Sequence, residues 1–165
     1  MNLDNINLVK VKLEGKAKLK GLMSLYLHDL SEFAKDLKIN EDGLFEYEGI
    51  DLYFEDEELM PFFICSENEV VGFVLVNSGK FIGPNIDYSI HELFILKGFR
   101  KKGIARIAIK KILNSYMGEY KVEQLKENKT AIRFWKNFYE VQSIKYIEQK
   151  EEIDGFECLI QIFNN

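Results

Sequence analysis

Apolar and polar residues alternate over 6–13 (INLVKVKL), the two-residue period of a half-buried strand, and Gly15 then breaks the pattern. The period changes at once. Leu19, Leu22, Met23, Leu25, Tyr26, Leu30 and Phe33 recur at three- and four-residue steps, which predicts an amphipathic helix over 16–35. The stretch DLKINEDGLFEYEGIDLYFEDEE has only weak periodicity and reads as a loop with a short helix or turn. PFFICSE and VVGFVLVN are β-branched and aromatic runs separated by Glu67-Asn68-Glu69, which is hairpin spacing. After a loop with Gly79, Gly83 and Pro84, DYSIHELFIL is a third such run. A helical period over 103–117 buries Ile104, Ile107, Ala108, Ile112 and Leu113 and exposes Arg106, Lys110 and Lys111. YKVEQLKE reads as a strand, and NKTAIRFWKNFYE as a short helix with Asn128 in a capping position. Two closing runs, QSIKYIEQK and FECLIQIF, bracket Asp154-Gly155, a hairpin turn signal.

The order is β-α-(loop/α)-β-β-β-α-β-α-β-β. Hairpins in the first half and strand–helix–strand in the second imply an α/β (α+β) chain with a mixed sheet and helices packed on it. A length of 165 residues fits one domain, 1–165, with a full core rich in its thirteen Phe and eight Tyr. Cys65 and Cys158 lie far apart and outside any Cys/His cluster, so two free buried thiols are expected and no metal site. MNLDNINLVK lacks the basic-then-apolar order of a signal peptide, and no apolar stretch is long enough to span a bilayer. These features predict a cytoplasmic protein with no membrane partner.

Charge separates the chain into two unequal parts. Residues 97–111 hold seven Lys/Arg and no acid, whereas 39–79 hold eleven Asp/Glu and no Lys/Arg. The basic part, FRKKGIARIAIKK, runs from a strand into a helix through a turn containing Gly103. Such a turn aims free backbone N–H groups and the positive end of a helix dipole at one point, which suits a phosphate; a solvated basic helix start is the other reading. Neither phosphate-loop pattern, G-x-x-x-x-G-K-[ST] or G-x-G-x-x-G, is present.

Arg100-Lys101-Lys102-Gly103-Ile104-Ala105 resembles the R/Q-x-x-G-x-G/A signature of the GNAT family of N-acetyltransferases. Asn128-x-x-Ala131-x-x-Phe134-Trp135 is similar to the family's N-x-x-A-x-x-x-Y/W segment, which opens the helix after the fifth strand. HELFILKGFRKKGIA, the Phe134-Trp135 pair and LYLHDLSEF together resemble a bacterial subgroup of these acetyltransferases. The resemblance implies a mostly antiparallel sheet of six or seven strands, about four flanking helices, and fourth and fifth strands that splay apart. It implies acetyl-coenzyme A as co-substrate. The amides of residues 101–106 (Lys101, Lys102, Gly103, Ile104, Ala105, Arg106), with Arg100, would hold its pyrophosphate. The backbone of Leu93, Phe94 and Ile95 would pair with the pantetheine arm, Asn128 would contact that arm, and Trp135 would line its thiol end.

Acetyl transfer to an amine needs a neutral amine, and an alkyl ammonium has a pKa of about 10.4, so a base is required. By resemblance Glu92 on the fourth strand is the leading base candidate and Glu123 on the fifth a second, with His91 a further proton relay; a solvent-facing or ion-paired carboxylate for Glu92, an exposed strand residue for Glu123 and a packed or surface histidine for His91 are the other readings. The family's usual general acid is a tyrosine seven residues after the asparagine, and Trp135 stands there. Indole cannot serve. Tyr139 substitutes, with core packing or helix capping as its plainer reading, or water protonates the thiolate, or the thiolate leaves unaided.

In relatives the first helix and the segment after it wall the acceptor site. Tyr26, Asp29, Glu46, Glu48, Asp51, Tyr53, Glu55, Asp56 and Glu57 would accordingly face a cationic small-molecule or peptide amine, a solvated acidic face being the plainer alternative. Homodimerisation is a further expectation. A non-catalytic acyl-coenzyme A sensor on the same fold is the rival function. Nucleic-acid binding is disfavoured by the net charge of −5 and by the lack of aromatics on the basic helix.

Overall fold

The computed structural model describes residues 5–165. The opening residues, part of the segment that argues against a signal peptide, lie outside that range. In chain order the elements are β1 (Ile6–Lys10), α1 (Lys16–Leu30), β2 (Leu59–Ser66), β3 (Glu69–Ser78), β4 (Tyr88–Ile95), α2 (Ile104–Ser115), β5 (Glu119–Leu125), α3 (Lys129–Gln142), β6 (Tyr146–Ile153) and β7 (Phe156–Asn164). The seven strands form one sheet in the order β1-β2-β3-β4-β5-β7-β6, antiparallel throughout except for β4 beside β5. Among the described residues there are three α-helices rather than about four. The acidic segment supplies only a 3-10 turn at Ile50–Phe54, because Asn40 accepts from the amides of Asp42 and Leu44 and Ile39 bridges Phe45, which spends that backbone on tight local turns.

Alternate side chains of the strands feed two cores. Val74, Val76, Ile90 and Tyr120 pack beneath α2 and α3, whereas Phe73, Leu75 and Phe94 pack beneath α1. On α2 the inward stripe is Ile104, Ala108, Ile109, Ile112 and Leu113; Ile107 is half-buried, so Ile109 takes the place expected for it. α1 ends at Leu30, before the predicted residue 35, and buries Leu27 while exposing Leu25. Residues 31–34 continue as isolated turns, with Phe33 and Ala34 both donating to the Leu30 carbonyl. Cys158 is buried and Cys65 half-buried, and both are free. Among the described residues no helix is long and apolar enough to cross a membrane.

The feature that positions the site is a parting of β4 from β5. They pair only from Tyr88–Tyr120 to Ile90–Val122, although β4 continues to Ile95 and β5 to Leu125. The cause lies one strand away. Ile90 pairs with Val76 and Glu92 with Leu75, so His91 is an extra residue on β4, and a bulge of this kind bends its strand.

β3 must then hold the bent part of β4 closely. A Cβ at Gly72 would stand 2.1 Å from the Phe94 carbonyl oxygen and 3.1 Å from the Ile95 Cα, both backbone atoms. Gly72→Ala should therefore destabilise the fold by about 1–3 kcal/mol, the usual cost of overpacking. At about 2–4 °C per kcal/mol for a chain of this size, the melting temperature should drop by several degrees. An unchanged thermal melt would contradict this account of the β3–β4 contact.

Candidate active site

The turn before α2 offers its backbone more than its side chains. Lys101 (φ 61°) and Gly103 (φ 82°) both take the left-handed conformation, and Gly103 is the residue that starts the helix. The first helical amide to find a backbone acceptor is that of Ile107, 3.2 Å from the Gly103 carbonyl. Among the described residues the amides of 101–106 have no such acceptor, which leaves six N–H groups at the positive end of a twelve-residue helix. Ile104 anchors the turn in the core at 1% exposure, Ala105 is half-buried, and Lys101 is exposed.

Three of the four basic side chains at this turn and the helix start have protein partners. Arg100 donates through Nε to the Ile95 carbonyl at 2.7 Å, pairs with Asp29 at the end of α1 and lies over the Phe94 ring. Its guanidinium is thus a brace between α1 and β4 rather than a free phosphate ligand. Lys102 donates to the Gly98 carbonyl and Arg106 to Asn137 on α3.

Beyond the last β4–β5 pair, Leu93, Phe94 and Ile95 stay paired with β3 but have no strand partner on the β5 side, and the Ile95 carbonyl is taken by Arg100. Their side chains are committed to packing, Phe94 toward α1 and Leu93 and Ile95 toward α2 and α3. Asn128 caps α3, its Oδ1 accepting from the Ala131 amide at 3.0 Å. Trp135 and Tyr139 lie one helical turn apart on the inward face of α3, with centroids 5.8 Å apart. Trp135 is 4% exposed and Tyr139 fully buried, packed on Tyr146 and Phe163. Burial pushes the Tyr139 phenol far above its ordinary range. Tyr139 also lies on the opposite face of the sheet from Glu92, so the structure does not bring this expected acid to the base.

On the α1 face a polar cluster forms around Glu92. Tyr26, on α1, donates its hydroxyl to Glu92 Oε2, and its ring is held edge-on by Phe73 and Phe94. Burial pushes the Glu92 carboxyl up to about 7; the Tyr26 hydrogen bond acts downward and the charge of Glu123 adds to the rise. Glu123, on β5 across the opening, pairs with Lys121 at 2.5 Å. Tyr47 Oη and His91 Nε2 are 2.8 Å apart, and Tyr53 donates to Asn77 at 2.6 Å. Burial also lifts the Tyr26 and Tyr47 phenols well above their usual range.

The acidic segment is less available than its composition implied. Asp51 pairs with Lys16 and Lys20, Asp56 with Lys80, and Asp29 with Lys97 as well as Arg100. Glu46 accepts from Asn40, Tyr53 is buried, and Glu48, Glu55 and Glu57 are exposed. The sequence missed Tyr47, Asn77, Lys121 and Gln124. Tyr47 sits in a loop without a period, Asn77 and Lys121 sit in strands that read as plain structure, and only Gln124 had a usable signal, its place on the buried stripe of β5.

A parted parallel pair, a free-amide turn into the next helix and a half-buried carboxylate beside the gap define an acyl-transfer scaffold. The chain belongs to the acetyltransferase (GNAT) family, whose model matches residues 19–138, and it is an acyltransferase. Its fold is similar to that of an acetyltransferase from Thermus thermophilus (TM-score 0.69, 16% identity, all of both chains covered). It is also similar to an N-acetyltransferase from Staphylococcus aureus (TM-score 0.68, 13% identity, 94% of this chain and 99% of that one). A third similar structure is Arabidopsis thaliana Naa50 in complex with the bisubstrate analogue CoA-Ac-MVNAL (TM-score 0.60, 16% identity, 96% and 97% covered). No curated protein matches the sequence significantly.

Proposed function

We propose that the chain, as one N-acetyltransferase domain over 1–165, moves the acetyl group of acetyl-coenzyme A to the nitrogen of a small primary amine by direct attack in a ternary complex. The observation that carries this reading is Glu92: a carboxylate beside the β4–β5 opening, oriented by the Tyr26 hydroxyl and with its protonation balanced at about 7. A base works best when its pKa lies near the working pH.

The residues fit the co-substrate. The six amides of 101–106 suit a diphosphate, as helix starts do, and the unpaired edge of β4 at 93–95 suits the amides of an extended arm. Acetyl-coenzyme A supplies an acyl thioester when bound. A main-chain amide of the 93–95 segment donates to the carbonyl oxygen as negative charge develops there. Glu92 and Glu123 attract the ammonium form of the acceptor, and Glu92 takes its proton. The amine lone pair forms the C–N bond, the C–S bond breaks with its electrons going to sulfur, and the second proton, shed by the acylated nitrogen, goes to solvent. With Trp135 and Tyr139 in the core, the thiolate, with a pKa of about 8.5 by analogy with cysteine, leaves without a protein acid.

Thiol release from acetyl-coenzyme A across a panel of primary amines tests the proposal. Amine-dependent release supports it. Tight coenzyme A binding with no release for any amine would overturn it in favour of a non-catalytic acyl-coenzyme A sensor.

Tyr26→Phe gives a sharper test of the base. The lost hydrogen bond stabilises the carboxylate, so its removal should raise the Glu92 pKa. The acid limb of the pH–rate profile should move to higher pH, with activity lost on the acid side and largely retained at the alkaline plateau. An unmoved limb would show that Tyr26 does not act on the base.

A further inference from the structure

β5 carries a polar side chain where its alternation calls for an apolar one. Tyr120, Val122 and Gln124 form the buried stripe of the strand. Gln124 is 5% exposed, yet neither its Oε1 nor its Nε2 meets a hydrogen-bond partner among the described residues. A carboxamide buried without partners is costly, and a leucine or methionine there would carry no such cost. The place is specific. Ile90–Val122 is the last parallel pair between β4 and β5, so Gln124 stands two residues past it, where the strands have parted. It shares the α3 face of the sheet with Tyr120 and Val122, and across the opening Leu93 and Ile95 belong to the same face.

The geometry points to Gln124 as a side-chain contact for an amide of the pantetheine arm, an assignment that rests on the function proposed above. A secondary amide offers one N–H and one C=O, and a carboxamide answers with an acceptor and two donors, so the two groups can satisfy each other reciprocally. The main-chain edge of β4 would hold such an arm as it would a strand, in more than one register. A single buried carboxamide on the far wall selects one register, and with it the depth at which the thioester lies relative to Glu92. Tyr139 Oη and Gln161 Oε1 are also without partners beneath α3. Neither borders the opening, since Gln161 lies opposite Val122 within the paired part of β5 and Tyr139 is packed on β6 and β7.

Calorimetry on the full chain tests this with three ligands: coenzyme A, phosphopantetheine, and adenosine bisphosphate, which lacks the arm. Gln124→Leu should weaken coenzyme A and phosphopantetheine about tenfold and leave adenosine bisphosphate unchanged. In the absence of ligand the variant should melt at or above the temperature of the unsubstituted chain, because an orphaned polar group has been removed. Gln124→Met serves the same test if the leucine variant does not fold. Equal losses for all three ligands, or no loss for any, would overturn the assignment and leave Gln124 as the seat of a buried water. An unsubstituted chain that binds neither coenzyme A nor phosphopantetheine would overturn the proposed function itself, a result distinct from unchanged binding in the variant.

Discussion

Glu92→Gln is expected to lower kcat for amine acetylation by about 10²–10⁴-fold, the range that a positioned general base contributes, and to leave the KM for acetyl-coenzyme A unchanged. Glutamine has the same shape and still accepts the Tyr26 hydroxyl, so the packing of α1 on β4 should survive. What it loses is the capacity to take a proton. An alkyl ammonium with a pKa of about 10.4 is almost wholly protonated at neutrality, and without a base only its rare neutral form reacts. The pH dependence separates the two enzymes. In the unsubstituted chain kcat should climb as Glu92 ionises and level off above its pKa of about 7. In the variant that break should vanish, and the rate should keep rising toward alkaline pH with the amine's own ionisation. A variant with the parent's kcat and pH profile would remove Glu92 from the chemistry.

Gly103→Val is expected to act on binding instead. At φ 82° and ψ −3° Gly103 holds a conformation that a β-branched residue adopts only under strain, of order 1–3 kcal/mol. The chain can relieve that strain by unwinding the start of α2, which disperses the six amides. Affinity for acetyl-coenzyme A should fall tenfold or more, each factor of ten being about 1.4 kcal/mol. The melting temperature should drop by a few degrees, while the rate at saturation changes less. Calorimetry paired with a thermal melt checks both. Unchanged affinity would mean that the turn is a solvated helix start and not an anion site.

The order of strands and helices was legible because each element carries its own period, and Asp154-Gly155 and Asn128 mark the last hairpin and the α3 cap directly. The end of α1 was not legible. Phe33 continues the apolar spacing, but after Leu30 the chain makes single turns on the Leu30 carbonyl. The parting of β4 and β5 was expected from family resemblance alone, since the His91 bulge that produces it depends on the register against Leu75 and Val76. Site chemistry followed the same division. Glu92 and Tyr26 were both singled out, yet their hydrogen bond joins residues 66 positions apart. Arg100 read as a phosphate ligand because composition cannot show that Asp29 and the Ile95 carbonyl occupy it. Tyr139 read as a substitute acid, but helical spacing turns it inward with Trp135.

The central claim is that backbone nitrogens at the start of α2 grip the diphosphate of acetyl-coenzyme A. Titrating isotope-labelled protein with that ligand and following the amide resonances by NMR tests it most directly. The account predicts downfield shifts concentrated at residues 101–106, with the amides of Gly118 and Glu119, at the opposite end of β5 from the opening, unmoved. Shifts absent from 101–106, or clustered elsewhere on the molecule, would contradict it.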